Sequence, residues 1–179
     1  MTLTTCEKAA KQASELWKSS VEDLQRAEPV KAAVVEQMAA TPAGDRQELL
    51  THYIEAQASV DALTQVTELL RKRSVAADRA VLVDELEKST VKAEAARAKY
   101  LEAHKALEEV EREQRALANR GRDYVGLDAA GIEKASFDLD VREAEAKREN
   151  SKTNRQKDET GRARLNAEQA LKTFDEKAV

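Results

Sequence analysis

Residues 45–120, DRQELLTHYIEAQASVDALTQVTELLRKRSVAADRAVLVDELEKSTVKAEAARAKYLEAHKALEEVEREQRALANR, form a run of 76 residues without glycine or proline. As one helix the run would be about 110 Å long, at a rise of ~1.5 Å per residue. Its first half carries Leu49, Tyr53, Ala56, Val60, Leu63, Thr67 and Leu70 at alternating steps of three and four. Its second half carries Val75, Leu82, Leu86, Ala93, Ala96, Tyr100, Ala103, Leu107, Val110, Gln114 and Leu117. Both are heptad seams, the signature of a helix packed along its length against another helix. The step of five from Leu70 to Val75 throws them out of register. It reads as a stutter or as an exchange of packing partner, and the exchange is favoured.

Upstream, Leu3, Cys6, Ala10, Ala13, Trp17, Ser20, Leu24 and Ala27 repeat the same spacing. Pro29 predicts a kink or short break near Glu28, because proline removes a helical donor and clashes with the preceding turn. Val30, Val34 and Met38 then share one face. Thr41–Gly44 is a strong breaker, and Asp45 followed by Glu48 has capping-box spacing, which predicts the start of the central helix. Downstream, Gly121 predicts its C-terminal cap. The connector 121–131 follows, and Ile132, Phe137, Leu139 and Val141 open a return helix. The 16 residues 147–162 contain no apolar side chain, after which Ala163, Leu165, Ala167, Ala170, Leu171 and Phe174 restore one.

The expected fold is therefore all-α: one domain over 1–179, an elongated antiparallel helical hairpin or coiled-coil rod. Its parts are an N-terminal segment 1–41 with its break near residue 29, a central helix 45–120, the connector, and a return helix 132–179. Three helices should meet where the N- and C-terminal segments reach the central one.

Composition agrees. Leu, Ile, Val and Phe make up just under a fifth of the 179 residues, against 32 alanines, and 30 basic groups nearly balance 34 acidic ones. Five glycines and two prolines are too few for the turns of a β-sandwich or barrel. The lone Cys6 excludes an intramolecular disulfide. Met1 to Lys18 lacks a secretory apolar block, and no stretch approaches the roughly 18 apolar residues of a membrane span. A cytoplasmic location, or one inside a virion or other assembly formed in the cytoplasm, is the expectation.

Signatures of catalysis are missing. Glu48, His52 and Glu55 share a helical face, but the residues three before the two histidines, where a di-iron bundle needs glutamate, are Leu49 and Leu101. Gly121 and Gly126 have phosphate-loop spacing, yet Leu127 and Asp128 stand where Lys and Ser or Thr are required. Cys6 has no neighbouring base and lies on the apolar seam. Neither an enzyme nor a cofactor or metal protein is expected, nor a small-molecule substrate.

Two stretches are candidates for recognition. Tyr124, Val125 and Leu127 either close the hairpin or present a small apolar patch to a partner. Lys147, Arg148, Lys152, Arg155, Lys157, Arg162 and Arg164, against Glu149, Asp158 and Glu159, give 147–164 a net charge of +4. That charge offers a footprint for non-specific nucleic-acid binding, although a solvated coiled-coil flank explains it better, because acids dilute it and no aromatic interleaves. As architecture alone, the layout resembles the hairpin rods of secretion stalks and the alanine-rich, aromatic-poor helical proteins of virions, and architecture does not establish function. The leading expectation is a structural or assembly protein working by coiled-coil contacts with protein partners, copies of itself among them, in a larger complex such as a viral or phage particle. The alternatives are an adaptor or chaperone binding at the hairpin tip, and nucleic-acid binding through 147–164.

Overall fold

The computed structural model describes residues 4–123 and 129–178, the side chains of 120–123, 129, 130 and 178 excepted. The fold is all-α. Helix α1 spans Thr5–Ala40, α2 spans Gln47–Asp123 and α3 spans Ala129–Ala178, and no strand occurs among the described residues.

A capping box starts α1. The Thr4 hydroxyl accepts from the Glu7 N–H at 3.2 Å and the Glu7 carboxylate accepts from the Thr4 N–H, which satisfies two of the donors a helix start leaves unpaired. The break expected near residue 29 does not occur, for α1 runs through Pro29. A proline inside a helix costs about 3 kcal/mol, and turns on both sides continue the helix. Val30 is also not where its spacing put it. It is 59% exposed, while Lys31 takes the half-buried slot and keeps Ala27, Lys31, Val34 and Met38 on one stripe.

The turn into α2 also differs from the expected Asp45 cap. Ala43–Asp45 form a 3-10 turn in which the Asp45 N–H donates to the Pro42 carbonyl at 3.1 Å, so α2 begins two residues later. The Arg46 carbonyl receives the Leu50 N–H at 2.8 Å, and the Arg46 guanidinium donates to the Thr41 carbonyl at 2.6 Å, tying the turn to the end of α1. At the other end α2 continues past Gly121 to Asp123, and α3 already begins at Ala129 rather than Ile132. A glycine weakens a helix interior by about 1 kcal/mol without forbidding it, so Gly121 is not the cap. Tyr124, Val125 and Leu127 lie outside the described residues.

Contacts divide the chain into two compact units, Met1–Asp84 with Thr173–Val179, and Glu85–Lys172. In the first, α1 packs on the N-terminal half of α2. Ser20 is buried, and its carbonyl accepts from the Thr67 hydroxyl at 3.3 Å across the pair. The end of α3 joins them, with Arg79 donating to both carboxylate oxygens of Asp175 at 2.8 and 3.1 Å. The N- and C-terminal segments thus do meet the central helix. Buried Ser74 fills the step of five between Leu70 and Val75, and Val81 to Asp84 are four successive half-buried residues. Four in succession cannot share one face of a helix, so α2 is covered on more than one side there.

In the second unit the rest of α2 and most of α3 form an antiparallel hairpin. Arg142 donates to Glu113 at 2.7 Å, and the Gln114 amide donates to Asp140 at 3.1 Å and Glu143 at 3.4 Å. Leu117 and Ile132 line one groove.

Candidate functional site

The apolar-free stretch lies within α3 and continues its seam. Glu143, Ala146, Asn150, Thr153, Lys157 and Thr160 follow one another at steps of three and four, and all are at least half-buried. On α2, every member of the seam from Ala93 to Leu117 is likewise protected. Ala96, Val110 and Thr153 are the most deeply covered of the hairpin's described residues, at 9%, 6% and 5% exposure. Small side chains let the helices approach closely, but they bury little area.

Polar residues enter this seam by being satisfied locally. The Thr153 hydroxyl donates to the carbonyls of Glu149 at 2.9 Å and Asn150 at 3.1 Å, and Thr160 makes the same contacts with Gln156 and Lys157. Both threonines therefore present only a methyl group to the partner helix. The Lys157 ammonium sits 4.2 Å from the centre of the Tyr100 ring, whose π face attracts a cation, and also donates to Asn154 at 2.8 Å. Tyr100 stacks on His104 at 5.7 Å and 14°. Two atoms remain unmatched, Nδ1 of His104 and Oδ1 of Asn150, both shielded from solvent without a hydrogen-bond partner among the described residues.

The seven basic residues of 147–164 therefore divide by direction. Lys147 is bound to Glu143 at 2.6 Å. This ammonium, with the Gln114 amide second, holds the Glu143 carboxyl below its ordinary range, and Glu143 in turn raises Lys147. Lys152 pairs with Glu149 at 3.4 Å, and Lys157 is turned inward. Arg164 lines a groove with Ala93, Glu94, Arg97 and Leu165. Arg148, Arg155 and Arg162 are exposed, seven residues apart, and their side chains make no hydrogen bond or ion pair among the described residues. Asp158, four residues before Arg162 on the helix, lies 3.6 Å from Lys157 instead. Arg148, Arg155 and Arg162 thus form an exposed basic row without ion pairs among the described residues, beside Lys147 and Lys152, which are also exposed but paired with Glu143 and Glu149. Heptad spacing carries the signal that separates the rows: 143, 150 and 157 are one heptad apart and point inward, while 148, 155 and 162 form the opposite row.

Elsewhere, Cys6 is half-buried on the α1 seam, and no three His, Cys, Asp or Glu side chains converge as a metal site among the described residues. No described helix is long and apolar enough to cross a membrane. Apolar surface is plentiful outside the seams: Leu16, Val30, Leu50, Ile54, Leu69, Val91, Leu101, Phe137 and Leu165 are among the large side chains about half or more exposed. Compared with known proteins, the chain matches no family model, no curated protein and no solved structure.

Proposed function

We propose that this chain is a non-enzymatic structural or assembly subunit that acts through helix–helix contacts with other protein chains. One observation carries this reading. Among the described residues, the buried apolar side chains are Ala10, Ala13, Ala96 and Val110, whereas twelve large hydrophobic residues are exposed along the three helices. Within that set Leu50 and Ile54, Val66 and Leu69, and Phe137 and Val141 lie one helical turn apart on exposed faces, and apolar stripes of that kind mark a surface for a partner helix. The setting proposed is a multi-chain complex formed in the cytoplasm, a viral or phage particle included. The test is cross-linking with mass spectrometry on intact source material. Cross-links from α1, α2 or α3 to other protein chains, or between copies, are the expected result, and their absence would overturn the reading.

Nucleic-acid binding is the second reading, favoured by the three unpaired arginines at 148, 155 and 162. Phosphate binding of that kind weakens steeply with salt. Failure to retard DNA or RNA at low ionic strength would remove it.

A further inference from the structure

The hairpin formed by α2 and α3 carries a second heptad seam on each helix, on the side facing away from the first. On α2 the outer positions are Glu87, Val91, Glu94, Ala98, Leu101 and Lys105, at steps of four and three, and all are exposed. On α3 they are Phe137, Val141, Ala144, Arg148, Ser151 and Arg155, at the same steps and also exposed. A seam of this period is what a helix needs to receive another helix. Within one chain the two outer seams cannot meet, because each lies opposite the inner seam that holds the hairpin together.

In one antiparallel register the seams complement each other at five of six levels, the exception being Val91, which falls opposite Ser151. Arg155 falls opposite Glu87 and Arg148 opposite Glu94, so two of the unpaired arginines each find a carboxylate. Leu101, 47% exposed, falls opposite Val141, 43% exposed. Ala98 meets Ala144, which permits close approach, and Phe137, 67% exposed, comes under the Lys105 ammonium. One turn further, Lys134 falls opposite Glu108. Shifting the register by one heptad in either direction sets Leu101 against Arg148 or Lys134, and Val141 against Glu108 or Glu94, so the Leu101–Val141 contact is lost; the second shift gains Val91 against Ala144 and Ala98 against Phe137 but leaves Leu101 and Val141 each facing a charge.

Resting on the reading of the chain as an assembly subunit, we propose that the outer seam of α2 (87–108) docks the outer seam of α3 (134–155) of a second copy in this register. The contact is heterologous, joining different faces of identical chains, so it propagates from copy to copy rather than closing as a twofold dimer. Neighbouring hairpins run in the same direction. The docking register differs by about 13 residues from the one inside the hairpin, which staggers successive copies by roughly 20 Å along the helix axis at ~1.5 Å per residue.

Charge reversal in the full chain tests this. By sedimentation at low ionic strength, the wild type should self-associate with increasing concentration, and added salt should weaken the association. Arg148→Glu with Arg155→Glu, or Glu87→Lys with Glu94→Lys, should each weaken it by roughly tenfold or more. An equimolar mixture of the two variants should associate again, because they then pair alternately, with native charges at one contact and reversed charges at the next. The register is tested separately in a Cys6→Ser background. Ala98→Cys with Ala144→Cys should form a disulfide between copies, since bridged Cα atoms must lie within about 7 Å, whereas Ala98→Cys with Ser151→Cys should not. A monomeric wild type, unaltered association in both charge variants, or a mixture that fails to recover while helicity is retained would overturn the proposal. So would loss of nucleic-acid binding in the arginine variant with self-association unchanged. Cross-links to other protein chains through different surfaces would sink this seam and leave the assembly reading standing; no protein neighbours at all would sink both.

Discussion

Asn150 offers a direct test of how the polar seam of α3 works. Its Oδ1 is shielded from water and has no hydrogen-bond partner among the described residues, although the residue occupies a half-buried position in the hairpin. Asn150→Leu should therefore stabilise the hairpin. Removing an unsatisfied buried acceptor recovers about 1–3 kcal/mol. Half-burying a leucine adds about 1 kcal/mol, taking half of the ~1.5–3 kcal/mol of a fully buried side chain. Fitting a larger side chain into a seam of alanines and threonines costs about 1–3 kcal/mol. At the midpoints the net gain is about 1 kcal/mol, or roughly fivefold slower amide exchange at one decade per ~1.4 kcal/mol. Hydrogen exchange with mass spectrometry, read on peptides from 93–110 and 143–160, measures it. Faster exchange in those peptides would show that Asn150 is held by a favourable contact and refute the reasoning. A buried asparagine in a coiled-coil seam also specifies register. If that is its role here, the leucine variant should gain protection while the ion pair of Arg142 with Glu113 loses its fixed geometry, seen as altered side-chain NMR shifts.

Pro29→Ala should restore a donor inside α1 and remove a ring clash, raising stability by up to about 3 kcal/mol; an unchanged or lower midpoint of Trp17 fluorescence in urea would count against it. Lys157→Gln removes the cation from the Tyr100 face and should cost about 0.5–1 kcal/mol, whereas Arg155→Gln on the exposed row should change the denaturation midpoint of the isolated chain by no more than about 0.5 kcal/mol; equal effects would contradict the inward placement of Lys157. The hydrogen bond and charge of Arg79 hold the Asp175 carboxyl below its ordinary value. A depressed folded-state pKa contributes stability that is present above the unfolded value near 4 and is lost as pH falls through the lower folded value. Asp175→Asn should therefore flatten that acid limb of the stability profile, and a carbon-detected titration placing Asp175 at or above its ordinary pKa would refute it.

Much of this fold is legible in the sequence because helical packing is a local pattern. The seam residues of α2 from Leu49 to Leu117 are identifiable by spacing, and all of them are protected. The same rule identifies Ala10, Ala13 and Ser20 on α1, which are buried. Element ends are less legible. Pro29 and Gly121 are weak helix formers whose effect of about 1–3 kcal/mol is a bias, and the turns around them continue the helix. The capping box at Thr4 and Glu7 follows the Ser/Thr-x-x-Glu pattern, but the one that spacing suggests at Asp45 and Glu48 is displaced by a 3-10 turn.

The sequence by itself determined that the chain is helical and which stripe of α2 is covered, because an α-helix turns by a fixed amount per residue and needs no partner to define its faces. Heptad spacing sorts the polar residues of 147–162 into rows, but spacing alone does not determine which row faces inward. Composition makes that stretch look solvated throughout. Only the tertiary structure, by setting α3 against the alanines of α2, turns Thr153 and Lys157 inward and leaves Arg148, Arg155 and Arg162 facing out. The physical reason is that a polar side chain enters a seam only where its own helix or a facing ring satisfies it, and that satisfaction depends on neighbours distant in the chain.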